Sequence, residues 1–300
     1  MRDRQGTPRR KQSLGPHTNL VRAGDLNRLR PIIGQGKSEE TVMAAVPEMT
    51  QRWANSTPRS TQLGKGRHLR GRLGFVLLET EETADDDIRR IVPDDVGVFY
   101  TRTPFDDSVT VETLAAVGDD LSRAAGILPP DLDAIAYVCT SGSVVVGEDN
   151  VAKALAKPQP QAKTTSLVTC VVEAMRALGM QKIVVGTPYI DEINHFEADF
   201  LVERGFDVLD IQGLCLLRGQ DMCLVEPDDI VKLALEIDRP DADGIFISCS
   251  ALRTVEVVEE IEQRTGKPVV GSNHALIWRM MRLAGIDDRL EGLGRLYRDH

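Results

Sequence analysis

The sequence has no apolar run near the ~20 residues that a membrane span requires. Its longest runs, such as the one ending in Cys170-Val171-Val172, are far shorter, so no membrane partner is expected. It also lacks the basic n-region, apolar h-region and small-residue cleavage site of a secretory signal. Its five cysteines are an odd number and form no CxxC pair. That argues against a disulfide framework and a zinc ribbon, and points to a reducing, cytoplasmic compartment. Nor is there an excess of basic charge: 36 Lys+Arg stand against 46 Asp+Glu, a net charge of −10. Nucleic-acid binding by the globular part is therefore not expected.

What is present is enough for a sizeable core. The chain has 300 residues, 42% hydrophobic and 27% charged, which suggests more than one folding unit. Charge is uneven. Residues 1–70 are basic, rich in Gly, Pro, Ser and Arg, and without sustained apolar periodicity. They read as a disordered extension. From residue 71 onward, apolar runs alternate with amphipathic stretches. Strands are expected over 73–78, 96–100, 134–138, 182–185, 207–209, 244–247 and 268–270. Helices are expected over 84–91, after the Thr110 cap, and over 166–178, 190–204, 227–236, 254–265 and 274–284. Such alternation with short connections predicts an α/β fold with parallel sheets.

An internal repeat sharpens this expectation. The frame running from Asp133 to Cys139 recurs from Asp243 to Cys249, and the first two strands recur at nearly the same offset. The repeat predicts two pseudo-symmetric halves, each a parallel sheet flanked by helices, with a site in the cleft between them. The first half would comprise 71–165 plus 273–300, and the second 166–272. Each half places one cysteine at the C-terminal end of a buried strand, where open parallel sheets bind ligands. Small hydroxyl residues follow: Thr140-Ser141-Gly142-Ser143 and Ser250-Ala251. A helix starting there would hold an anion and lower a thiol pKa. Two such thiols can work on opposite faces of one carbon, one as base or nucleophile and the other as acid, with no cofactor. Cys170 lies on an apolar helix face with Leu167, Val171, Ala174 and Leu178, so it reads as structural. Cys215 and Cys223 have no counterpart in the other half and read the same way.

Several of these stretches resemble the aspartate/glutamate racemase superfamily, in particular its maleate cis-trans isomerase branch. The resemblance rests on Val138-Cys139-Thr140-Ser141-Gly142-Ser143, Thr187-Pro188-Tyr189, Ser248-Cys249-Ser250-Ala251-Leu252-Arg253-Thr254 and Gly271-Ser272-Asn273-His274-Ala275-Leu276-Ile277-Trp278. The first of these, with Phe75-Val76-Leu77-Leu78-Glu79-Thr80, also resembles racemase-like proteins encoded with ectoine-utilisation genes. The resemblance implies a cofactor-independent homodimer with catalytic Cys139 and Cys249. Family activities include amino-acid racemisation, maleate isomerisation and arylmalonate decarboxylation. Substrate-binding positions carried over are Glu81, Thr140, Ser141, Tyr189, Gln220, Ser250 and Ala251. Glu81 stands where the isomerases have a carboxylate-binding Asn, Gln220 where they have a second, and Ala251 replaces a third. Arg253 is a candidate for facing a substrate carboxylate or for a solvent or ion-pair role, His274 is a candidate site-edge residue, and His195 reads as structural. The expected function is a two-cysteine isomerase or racemase of a small carboxylate, with a place in ectoine degradation. The alternatives are a decarboxylase, in which one cysteine protonates a carbanion, and a non-catalytic ligand-binding relative.

Overall fold

Apolar runs become strands buried on both faces, and the amphipathic stretches cover them. The structure is a computed structural model that describes residues 60–64 and 66–300. The expectation of a disordered extension falls, for residues 1–59 and 65, outside the described residues. Strand β1 (Gly71–Leu78) is the spine of the first sheet and is buried along almost all its length. It pairs in parallel with β2 (Val96–Thr103) on one side and β3 (Ala134–Val138) on the other. A short strand, β4 (Lys163–Ser166), closes the order β2-β1-β3-β4. The second sheet repeats this plan. Strands β5 (Lys182–Thr187), β6 (Asp207–Gly213), β7 (Gly244–Ile247) and β8 (Val269–Gly271) stand in the order β6-β5-β7-β8, all parallel.

Helices supply the crossovers that parallel pairing needs. In the first half these are α1 (Ala84–Ile91), α2 (Val111–Ala125), α3 (Thr140–Val146) and α4 (Glu148–Ala156). Next come α5 (Leu167–Ala177), α6 (Asp191–Glu203), α7 (Gly219–Cys223), α8 (Pro227–Ile237) and α9 (Val258–Thr265). Helices α10 (Ser272–Leu283) and α11 (Gly294–Asp299) follow β8. Thr110 caps α2 through a reciprocal bond with Thr113, and the helix buries Leu114, Val117 and Leu121. The aspartate that opens each repeat has the same task in both halves. Asp133 accepts the Arg72 N–H at 2.8 Å, and Asp243 accepts the Lys182 N–H at 2.7 Å. Each carboxylate thus fixes the start of its central strand. Helix α10 packs on α1 and β3 of the first sheet and on α5. With α5 it fills an apolar core shared by Leu73, Phe75 and Leu77 of one sheet and Ile183, Val185 and Phe246 of the other. No helix among the described residues is long and apolar enough to cross a membrane.

Where the chain leaves the expected pattern, the reasons are local. The strand β4 was not expected: it reads Lys-Thr-Thr-Ser, pairs only with β3, and so lacks an apolar signature. The helix expected over 254–265 is a 3₁₀ turn, Thr254–Glu256, followed by α9. Between the halves, the fully buried Ser272 hydroxyl accepts two hydrogen bonds, from Thr140 Oγ1 at 2.8 Å and from the Cys249 N–H at 2.9 Å. Ser272→Ala leaves that buried N–H without an acceptor. It should lower the unfolding free energy by ~1–3 kcal/mol, read as a shifted urea midpoint at unchanged slope. An unshifted midpoint would show that this bond carries no stability.

Candidate active site

Cys139 leaves β3 in an extended conformation and caps α3. Its sulfur accepts the Gly142 N–H at 3.2 Å and lies 3.8 Å from Ser141 Oγ. Glycine is required at 142 by close approach: a Cβ there would fall 2.4 Å from Tyr137 Oη and 2.9 Å from the sulfur. Cys249 leaves β7 differently. Its φ is +103°, a region that side-chain-bearing residues rarely adopt, and its sulfur accepts the Ala251 N–H at 3.3 Å. Side chains from α1, the loop before it and α10 hold this strained turn in place. Glu81 Oε2 accepts from Ser250 Oγ at 2.6 Å, and Thr83 Oγ1 donates to the Ala251 carbonyl at 2.8 Å. Asn273 Nδ2 donates both to the Ser250 carbonyl (2.7 Å) and to Asp87 Oδ2 (2.8 Å).

Both cysteines line one cavity, together with Glu81, Ser141, Tyr189, Ser250 and Ala251. Its other wall is apolar: Leu78, Phe105, Val109, Leu114 and Met222. The remaining sequence-derived candidates lie elsewhere. Thr140 is fully buried with its hydroxyl committed to Ser272. Gln220 is exposed and does not line the cavity; its N–H is held by Asp107 and its Oε1 by Arg218. His274 is a core residue, hydrogen-bonded to the Leu293 carbonyl, and burial lowers its pKa to about 4. Arg253 pairs with Glu256 and Glu226. His195 is exposed on α6. Cys170 is buried in the shared core, Cys223 is half-buried and Cys215 exposed. The apolar wall went unread in the sequence. Phe105, Val109 and Met222 sit in or beside loops, where no periodicity marks a facing side.

The electrostatics differ from the sequence expectation at both thiols. Burial pushes the Cys139 thiol up to about 11, against the Gly142 N–H and the Ser141 hydroxyl that favour its thiolate. Burial raises Cys249 well above the ordinary value; Tyr189 opposes this and Glu81 adds to it. The reason is geometric: only Cys139 meets a helix start, and one amide does not offset full desolvation. Tyr189 is likewise pushed up by burial and stays a phenol, a donor. Burial also raises Glu81, against bonds from Ser250, Ala84 and Thr83. Among the described residues, no group of three His, Cys, Asp or Glu side chains is placed to hold a metal ion.

Two like-ordered parallel sheets, with one strand-end cysteine from each on a shared cavity, define a pseudo-symmetric two-cysteine α/β protein. The family model for arylmalonate decarboxylase matches residues 103–297, and the chain belongs to that family of enzymes. It is 35% identical over 136 residues to arylmalonate decarboxylase of Bordetella bronchiseptica, covering 44% of this chain and 57% of that protein's length. It is 25% identical over 239 residues to maleate isomerase of Nocardia farcinica, covering 76% of this chain and 95% of the relative. Among solved structures, a double mutant of arylmalonate decarboxylase in its liganded form aligns with a TM-score of 0.70 at 26% identity, covering 77% and 100% of the two chains.

Two outcomes are expected. Gly142→Ala must displace either the Tyr137 hydroxyl or the Cys139 sulfur, and should lower stability by ~1–3 kcal/mol; a Tm equal to wild type would contradict the close approach. The second concerns Asp87, which burial raises to about 7, with Glu81 and Glu256 adding to the rise and Asn273 and Arg90 opposing it. A folded pKa above the unfolded value of 3.8 means that this carboxyl's favourable contribution is complete below pH 4 and is lost as pH climbs through 7. The loss is on the order of 4 kcal/mol at 1.36 kcal/mol per unit. Asp87→Asn should therefore gain stability over wild type at pH 8 and not at pH 4. Parallel stability–pH curves for the two proteins would refute it.

Proposed function

We propose that the protein is a cofactor-independent isomerase or racemase of a small carboxylate, working through Cys139 and Cys249. The observation that carries this reading is that both thiols, from equivalent strand ends, line one cavity. Tyr189, Ser141 and the amides after each cysteine supply hydrogen-bond donors for a carboxylate and for the enediolate formed from it. In racemisation, one thiolate takes the α-proton and the enediolate forms. The opposite thiol then returns a proton to the other face. In cis-trans isomerisation, Cys139 adds to an alkene carbon while Cys249 protonates its neighbour. Rotation about the single bond follows, Cys249 reclaims the proton, and the Cys139 sulfur leaves. A cytoplasmic homodimer is the setting this reading assumes.

Glu81 bears on the substrate's charge. Its Oε1 accepts the Thr83 and Ala84 N–H groups at 2.8 and 2.9 Å, and its Oε2 accepts from Ser250. Every one of these partners donates, which favours the carboxylate form against the burial that raises its pKa. In its ionised form Glu81 would set ~4 kcal/mol of repulsion at an effective dielectric of 20 against a substrate carboxylate ~4 Å away, roughly a thousandfold in affinity. Maleate is thus disfavoured. A monocarboxylate with an ammonium or neutral group is favoured, an ectoine-derived diamino acid among them. Glu81→Gln should improve turnover of maleate relative to amino acids; an unchanged ratio would remove Glu81 from substrate selection.

A second reading, decarboxylation, draws on the apolar wall and on burial that keeps both thiols protonated at neutral pH. A protonated thiol can quench the carbanion that departing CO₂ leaves. The two readings separate in one experiment. Wild type, Cys139→Ser and Cys249→Ser are incubated in D₂O with maleate, amino-acid enantiomers and 2-aryl- or 2-alkylmalonates. Fumarate, α-deuterium and CO₂ are then followed. Isomerase or racemase chemistry needs both thiols, so each variant should lose about a hundredfold or more. CO₂ release that survives Cys139→Ser favours the decarboxylase. Turnover indifferent to both substitutions would sink both readings.

A further inference from the structure

The loops that follow the equivalent strands β2 and β6 meet over the cavity. Residue Ser108 of the first forms an antiparallel bridge with Arg218 of the second. The Val109 N–H donates to the Leu217 carbonyl at 2.8 Å, and the Gly219 N–H to the Asp107 carbonyl at 3.0 Å. Asp107 is the knot. Its Oδ2 accepts from Arg218 Nε at 3.0 Å, and its Oδ1 accepts the Gln220 N–H at 2.9 Å. It does so at φ +73°. Beneath the knot, Phe105 and Val109 on one side and Gly219 and Met222 on the other line the cavity. The roof leaves both cysteines almost shut off from solvent, Cys139 at 4% and Cys249 at 5% exposure.

We propose that Asp107 is a positioning residue that latches this roof: the two loops must part to admit substrate, and Asp107 sets how firmly they close. Its ion pair with Arg218 is partly exposed, so water competes for it and the latch is reversible. Nothing in this depends on which reaction runs below, and the test needs no turnover. The probe is iodoacetamide, with alkylation of each cysteine followed by peptide mass spectrometry. Exposed Cys215 controls for reagent, and Cys170, buried in the core away from the cavity, controls for general unfolding. Asp107→Gly removes both side-chain bonds and suits the positive φ; Arg218→Ala removes the ion pair and the Arg218–Gln220 side-chain bond but keeps the Asp107 contact to the Gln220 N–H. Both should speed alkylation of Cys139 and Cys249, Asp107→Gly by at least about tenfold, equivalent to 1.4 kcal/mol of closure. Cys170 and Cys215 should stay at wild-type rates. Asp107→Asn keeps the Gln220 contact and tolerates the backbone, so it should fall between. Unchanged rates at Cys139 and Cys249, or an equal rise at Cys170, would overturn the latch.

Discussion

The Ser272 hydroxyl is the point on which both halves depend. It receives the side chain that follows Cys139 and the backbone of Cys249, so one oxygen fixes the two strand ends relative to each other. Around it runs a seam of buried polar contacts: Glu81 with Ser250, Thr83 with Ala251, and Asn273 with Asp87 and Ser250. The apolar core gives the halves adhesion without direction. Hydrogen bonds give direction, and in a dry interior each is costly to leave unmade. The turn after Cys249 is consequently shaped largely by side chains from α1, the loop before it and α10.

The same dryness governs the chemistry. Full burial penalises every charged form in the cavity, and it outweighs the amide at each sulfur. A helix start beside one thiol is thus a correction to desolvation, not a replacement for solvent. What the site gains is a pair of neutral thiols held by short backbone contacts, next to a carboxyl whose own partners are all donors. A bound substrate meets fixed dipoles that have no need to reorganise.

The sequence made the sheets legible because buried parallel strands must be continuous apolar runs, as at Leu73–Leu78 and Ala134–Val138. The Asp-to-Cys frame exposed the duplication, and the cysteines' strand-end positions followed from it. What stayed hidden depends on contacts distant in sequence. Strand β4 is polar because it is an edge. Glu81 was legible as a site position through the resemblance, but its partner Ser250, 169 residues away, was not. Gln220 is a substrate-ligand position by the resemblance, but its side chain is held by Arg218 and does not line the cavity. No local pattern announces that the residues after Cys249 form a strained turn while those after Cys139 form a helix.

That last asymmetry bears on how such a scaffold changes over generations. At position 139 the side chain caps a helix, a role serine fills at least as well as cysteine. At position 249 the backbone sits where glycine would be free of strain. Neither thiol is the residue that folding by itself would favour. Cysteine is one base change from serine and from glycine, so either thiol can be lost or regained with little disturbance of the surrounding architecture. A lineage built on this chain could shed or regain either thiol by single mutational steps, keeping sheets, seam and cavity as they are.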